Sequence, residues 1–204
     1  MKIYNIVKCS FLDYPGYIAA VVFLRGCNFK CGYCHNAHII PLEGETYTTE
    51  EDVLKFLTKR KKVLQGVVIT GGEPTVQHEE LIPFLQKIRA IGTYKIKLDT
   101  NGYRPDILKK ILDAKLVDFV AMDIKANKEK YEKLIQVPCN LAKIQRSIDY
   151  IKASGLPHQF RTTYDKRILT DTDIKKIRTW IDDNENYIVQ ECILRDINGK
   201  PRKA

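Results

Sequence analysis

Residues 18–34 read IAAVVFLRGCNFKCGYC. The apolar run 18–24 has strand length and stops just short of Gly26, the pattern of a strand buried on both faces. A loop carrying Cys27, Cys31 and Cys34 follows and extends to about Tyr47. Thr48 then opens a helix, with Glu51 completing a capping box and Leu54, Leu57 and Leu64 as apolar positions. The same order recurs downstream. Strands are predicted at 66–70, 94–99, 117–124, 159–164 and 187–194. Helices are predicted at 78–91, 105–114, 128–135, 141–154 and 171–183, with Pro138 separating two of them.

Six strands alternating with helices predict an α/β fold whose parallel sheet is built of right-handed crossovers. An open doubly wound sheet and a partial (β/α)6 TIM-like barrel both satisfy that order. The polar motifs favour the barrel. Cys27 follows the first predicted strand, Gly71-Gly72-Glu73-Pro74 the second and Asp99-Thr100-Asn101-Gly102 the third; Asp123 and Lys125 end the fourth, and Arg161 lies in the fifth. A barrel rim gathers successive strand ends into one mouth. A flat sheet would spread them too far apart to share a small ligand.

The chain of 204 residues suits one compact domain. Its hydrophobic fraction of 44% is ordinary for a soluble protein, and no apolar run is long enough to span a bilayer. Met1-Lys2-Ile3-Tyr4 enters an alternating stretch without the apolar centre of a signal peptide, so a cytoplasmic location is expected. The net charge of +9 is spread over predicted helices, at Lys59 to Lys62, Lys109-Lys110, Lys128 to Lys133 and Lys175-Lys176. Such spreading describes solvated helix faces and implies neither nucleic-acid binding nor a membrane.

Six cysteines in a chain of this length do not make a disulfide scaffold. Cys9, Cys139 and Cys192 are scattered and read as buried, inert thiols. Cys27, Cys31 and Cys34 have the spacing C-x3-C-x2-C. Three thiolates from one loop can hold a cubane of four irons and four sulfides, leaving one iron open for chemistry. Structural zinc, with His35 or His38 as fourth ligand, also fits the spacing. It would make the chain a basic interaction module and leave the glycine and carboxylate motifs idle.

These motifs together resemble the radical S-adenosylmethionine (SAM) superfamily. The cysteine triad with Tyr33 before its last member looks like the superfamily signature, and Gly71-Gly72-Glu73-Pro74 matches its GGE motif. Within it, the chain is most similar to the glycyl-radical-enzyme activases, on Asp13-Tyr14-Pro15-Gly16, Gly26-Cys27-Asn28, Cys34-His35-Asn36, Asp99-Thr100-Asn101-Gly102 and Asp123-Ile124-Lys125. The short chain and the first of these segments look most like the activases of anaerobic ribonucleoside-triphosphate reductase. The resemblance covers residues 8–194 and implies a single domain over 1–204, with a basic tail at 200–203 that looks flexible.

The resemblance implies a [4Fe-4S] cluster on Cys27, Cys31 and Cys34, whose open iron is chelated by SAM. Reductive cleavage then gives a 5′-deoxyadenosyl radical that takes hydrogen from a glycine of a glycyl-radical enzyme. The electron would come from a flavodoxin- or ferredoxin-type donor. Gly71 and Gly72 would let the backbone approach the methionine moiety, with Pro74 stiffening the turn. Glu73 would face the ligand's ammonium, or serve only to start a helix. Lys125 suits the ligand carboxylate; with Asp123 it could also be only a surface ion pair. Tyr33 would pack by the adenine, or simply in the core. His35, Thr100, Asn101, Ile124 and Arg161 complete the implied SAM contacts, and Asp99, Thr100, Ala121 and Asp123 would surround a monovalent cation. Longer activases carry a His near the sixth strand end. Here that region reads Val189-Gln190-Glu191-Cys192, where Gln190 is a weak substitute.

Overall fold

The computed structural model describes residues 1–92 and 94–193. A seven-stranded sheet runs β1 (Ile3–Ser10), β2 (Ala19–Leu24), β3 (Gly66–Gly71), β4 (Lys95–Thr100), β5 (Phe119–Asp123), β6 (His158–Tyr164) and β7 (Tyr187–Glu191). Each strand pairs with the next in sequence. β1 is antiparallel to β2, and all later pairs are parallel. A doubly wound sheet needs a point where the strand order reverses. None exists among the described strands, so successive right-handed crossovers stack the helices on one face. The architecture is that of a partial TIM-like barrel, as the polar motifs implied.

Two corrections concern strands. Six were expected, and β1 is a seventh; its alternation was visible, but only Ile3 is fully buried. An edge strand with one half-covered face lacks the continuous apolar run of its neighbours. The last strand closes at Glu191 rather than residue 194, and Leu194 and the basic tail at 200–203 lie outside the described residues.

The helices are α1 (Glu50–Arg60), α2 (His78–Ile91), α3 (Pro105–Asp113), α4 (Tyr131–Ile135), α5 (Leu141–Ala153) and α6 (Asp171–Ile181). Thr49, not Thr48, caps α1, accepting the Asp52 N–H at 3.1 Å. Two adjacent threonines before three acids satisfy the capping pattern in either register. Val53 and Leu57 are the side chains that α1 buries, whereas Leu64 lies beyond its end. The helix expected at 128–135 shrinks to α4, because the Asn127 side chain turns residues 127–130 by accepting the Lys130 N–H at 3.0 Å. Among the described residues no helix is long and apolar enough to cross a membrane.

Alternation along the strands gives the sheet two different faces. Val22, Ile69, Leu98, Val120, Met122 and Phe160 are fully buried on the helix side. The inner face is apolar at its lower end, where Tyr14, Ala19, Val21 and Val68 cluster with Phe119. Near the C-terminal strand ends it becomes polar, with Thr70, Asp99, Asp123, Arg161 and Thr163 lining a cavity. Polar groups therefore collect where the strands open into the mouth.

Candidate active site

The cysteine loop is anchored at both ends. As the chain leaves β2, the Gly26 and Cys27 N–H groups donate to Ile39 O and Ile40 O, both at 2.9 Å. Buried Arg25 spreads its guanidinium over the returning limb, donating to the carbonyls of His38, Glu43 and Glu45. Lys30 N donates to Ile135 O at 2.9 Å, and Phe29 packs against Tyr103 and Tyr131. A tight turn, Cys34 N to Cys31 O at 3.0 Å, closes the second half of the motif.

All three thiols are free and line one cavity of about 220 Å³. Burial pushes the Cys27 thiol up to about 12 and raises Cys31. Metal binding must therefore displace protons there. Among the described residues no group of three or more His, Cys, Asp or Glu side chains is arranged to hold a single metal ion. The ligands of a cubane, by contrast, each address a different iron.

The glycine motif closes the opposite wall. Gly71 and Gly72 line the cavity, but a Cβ on Gly71 would lie 2.2 Å from Leu24 O, and one on Gly72 2.1 Å from Gly26 O. The missing side chains thus make room for the backbone of β2 and the cysteine loop, rather than only for a ligand. Glu73 is fully buried and does not line the cavity. Its Oε1 accepts from the Thr75 N–H and hydroxyl and from the Thr100 hydroxyl, and its Oε2 accepts the Asn101 N–H. The carboxylate caps a short turn at residues 74–77 and fastens β3 to β4. Pro74 begins that turn and is buried away from the cavity.

Across the mouth, charges alternate. β5 and β6 pair Asp123 with Arg161, whose Nε donates to Asp123 Oδ1 at 2.8 Å. Lys125 Nζ donates to Asp123 Oδ2 at 3.0 Å. Burial opposes ionisation of Asp123, but Arg161 and Lys125 overcome it and hold its carboxyl at about 2. Burial likewise opposes the Lys125 charge, and Asp123 raises its pKa well above the usual value. The two are therefore a charged pair built into the cavity wall.

Two buried polar atoms of the cavity lack hydrogen bonds: Tyr33 OH and Asp99 Oδ1. Lys97 Nζ stands 2.9 Å from that Asp99 oxygen as an ion pair, without an aligned hydrogen bond. Unpaired buried groups are rare unless something else satisfies them. Three thiols and two cationic side chains around one cavity suit an iron–sulfur cluster with a zwitterionic ligand.

The remaining expected residues divide. Thr100 and Asn101 line the cavity, and Asn101 Nδ2 donates to Asn28 Oδ1 at 2.7 Å. His35 also lines it, and its Nε2 lies 2.8 Å from Ile193 O, joining the cysteine loop to the chain after β7. Ile124 does not: its side chain belongs to the helix-facing core, and its N–H and carbonyl are taken by Arg161 O and the Thr162 hydroxyl. Gln190 is exposed and not part of the lining. Ala121 pairs with Asp99 in the ladder and is fully buried. Sequence reasoning missed Arg25 and Lys97. Lys97 could have been found, since it alternates with Asp99 on one face of β4.

Comparison with known proteins gives the family and agrees with the fold. The model of the Radical SAM superfamily matches residues 21–181. The chain belongs to that superfamily and is an enzyme of the radical SAM class. A Methanocaldococcus jannaschii protein named "Putative glycyl-radical enzyme activating enzyme MJ1227" is 33% identical over 199 residues, covering 94% of this chain and 80% of the relative. The pyruvate formate-lyase-activating enzyme of Clostridium pasteurianum is 36% identical over 128 residues, or 61% of this chain. The match spans about half of that relative, 52% of its length. Among solved structures, Streptococcus suis SuiB bound to S-adenosylmethionine superposes with a TM-score of 0.67. It covers 90% of this chain and 44% of SuiB at 16% identity, a likeness of fold.

Proposed function

We propose that this chain reductively cleaves SAM and installs a glycyl radical on a partner enzyme, anaerobic ribonucleoside-triphosphate reductase being the favoured partner. The supporting observation is that one cavity holds Cys27, Cys31 and Cys34 opposite the Lys125–Asp123–Arg161 charge chain. The three cysteines would hold a [4Fe-4S] cluster, which supplies, when bound, the electron that splits a sulfonium into methionine and a 5′-deoxyadenosyl radical. Lys125 and Arg161 keep their protons and present positive charge to a ligand carboxylate, while Asp123 fixes both in place. Gly71 and Gly72 offer main chain to the ligand, and Tyr33 lines the cavity beside it. The surrounding buried wall excludes water from a reactive radical. A flavodoxin- or ferredoxin-type protein is the proposed electron donor.

The test incubates anaerobically reconstituted, reduced protein with SAM and either anaerobic ribonucleotide reductase or pyruvate formate-lyase. The pyruvate formate-lyase arm is included because an activator of that enzyme is among the relatives. The expected result is 5′-deoxyadenosine together with a glycyl-radical signal on the reductase. A signal on the lyase alone reassigns the partner. Cleavage with neither partner converted would point to a small-molecule substrate, and no cleavage under strong reductant would reject the proposal.

A further inference from the structure

The monovalent cation expected beside Asp99 and Asp123 would meet positive charges already in place. Lys97 precedes Asp99 by one pleat on the inner face of β4, and only 5% of its side chain is exposed. Its Nζ lies 2.9 Å from Asp99 Oδ1 and donates to the carbonyl of Asp13 at 2.7 Å. Arg161 Nη1 approaches the same Asp99 oxygen at 3.6 Å. Charges therefore alternate over three strands and the loop after β5, from Lys97 through Asp99, Arg161 and Asp123 to Lys125. Positive charges already outnumber negative ones in this chain. Two further acids stand nearby with partners of their own: Glu73 is engaged by hydroxyl and main-chain donors, and the Asp13 carboxylate takes the Ser10 hydroxyl.

A buried ammonium persists only where acceptors and an opposite charge replace its lost hydration. A bare monovalent cation makes the same demand. An alkali metal ion on that Asp99 oxygen would be a third positive charge beside Lys97 and Arg161 and would be repelled by both in a site screened from water.

We propose that the Lys97 ammonium takes the place of the monovalent cation in this chain, so that SAM binding requires no added alkali metal ion. The inference rests on reading the cavity as a SAM site. Lys97 is a positioning residue, because it reaches the cavity through Asp99 and, by way of Arg161, Asp123. If it served only to pin residues 11–17 under the barrel, its replacement would cost stability equally in every salt.

The experiment compares the wild-type chain with Lys97→Gln, which removes the charge but keeps a donor, and with Lys97→Met. Each is reconstituted anaerobically and measured at constant ionic strength in potassium, sodium or tetramethylammonium chloride. The readouts are the SAM dissociation constant and the melting temperature without SAM. Wild type should bind SAM with the same affinity in all three salts, within about twofold, with an unchanged melting temperature. Both variants should bind on the order of tenfold more weakly in tetramethylammonium, recover in potassium or sodium, and melt higher there. The proposal is overturned by a wild-type affinity that rises on the order of tenfold with potassium or sodium, or by folded variants indifferent to the salt. If wild type binds no SAM in any salt, the SAM reading fails, and the melting temperatures alone decide the role of the lysine. If neither variant folds, wild type decides: indifference to the salt supports the proposal and a response overturns it.

Discussion

The Glu73 carboxylate accepts the Asn101 main-chain N–H at 2.6 Å and so locks the end of β3 to the end of β4. Its second oxygen serves Thr75 twice and Thr100 once. A glutamine has one oxygen for these four donors and would turn an amide N–H₂ toward at least one of them. Glu73→Gln is expected to cost about 2–3 kcal/mol, the price of leaving buried donors unmatched. Urea denaturation measures this. SAM affinity should fall in parallel, because Thr100 and Asn101 line the cavity; an unchanged urea midpoint would show that Glu73 does not carry this junction.

Gly72→Ala should disturb the cysteine loop more than its small size suggests. The new methyl would sit 2.1 Å from Gly26 O, beside the residue that leads into Cys27. Main chain is hard to displace there, so a loss of several kcal/mol, about 3 or more, and reduced iron loading are expected. Gly155→Ala is the control. It has nothing within 4 Å and a φ of +67°, so only the left-handed backbone opposes it, at about 1–2 kcal/mol. Equal losses at the two sites would remove the close-approach explanation.

The barrel was legible because polar residues recur at successive strand ends, and a flat sheet cannot gather those ends. The cysteine spacing marked a metal-binding loop but left zinc and an iron–sulfur cluster both open, and the glycine and carboxylate motifs on the following strands were needed to choose between them. β1 was not assigned, since an edge strand with Val7, Lys8 and Cys9 exposed carries half the apolar signal of a central one. Glu73 shows a different limit. A carboxylate that binds ligand and one that binds main chain occupy the same letter in the sequence, and only the positions of the Asn101 N–H and the Thr100 hydroxyl separate them. Ile124 was carried in by its neighbours Asp123 and Lys125, although alternation turns it to the helix side. Lys97 was overlooked because lysine in a predicted strand ordinarily implies solvent.

Cysteine replacements should divide into two groups. Cys27, Cys31 and Cys34 line the cavity, and on the proposed reading loss of any one would remove a cluster ligand. Each replacement by Ala should abolish most iron and sulfide after anaerobic reconstitution. Cys9, Cys139 and Cys192 do not line it; contrary to expectation Cys9 is exposed and the other two only half-buried, and the Cys139 thiol is pushed up to about 11 by burial beside Glu132. Their replacements by Ser should retain iron and sulfide. Zinc without sulfide in the wild-type protein would contradict the cluster outright.

Stability in acid should report on Asp173, remote from the cysteine loop in sequence. This residue completes the capping box of α6 with Thr170, whose N–H and hydroxyl both donate to it at 2.8 Å. Lys130 Nζ at 2.7 Å and Asn127 Nδ2 at 2.8 Å also donate, joining α6 to the turn before α4. Burial would raise its carboxyl pKa, but Lys130 and Thr170 prevail and hold it at about 2, against 3.8 for an ordinary aspartate. A depressed pKa contributes stability that is complete above the unfolded value and is lost as pH falls through the folded one. Such a lowering corresponds to about 2 kcal/mol. Asp173→Asn should therefore destabilise the metal-free chain by about that amount at pH 7, and the gap to wild type should close between about pH 4 and pH 2. Denaturant titrations of both proteins across that range measure it, and a gap that stays constant down to the lower limit would mean that the Asp173 charge is not what fastens α6.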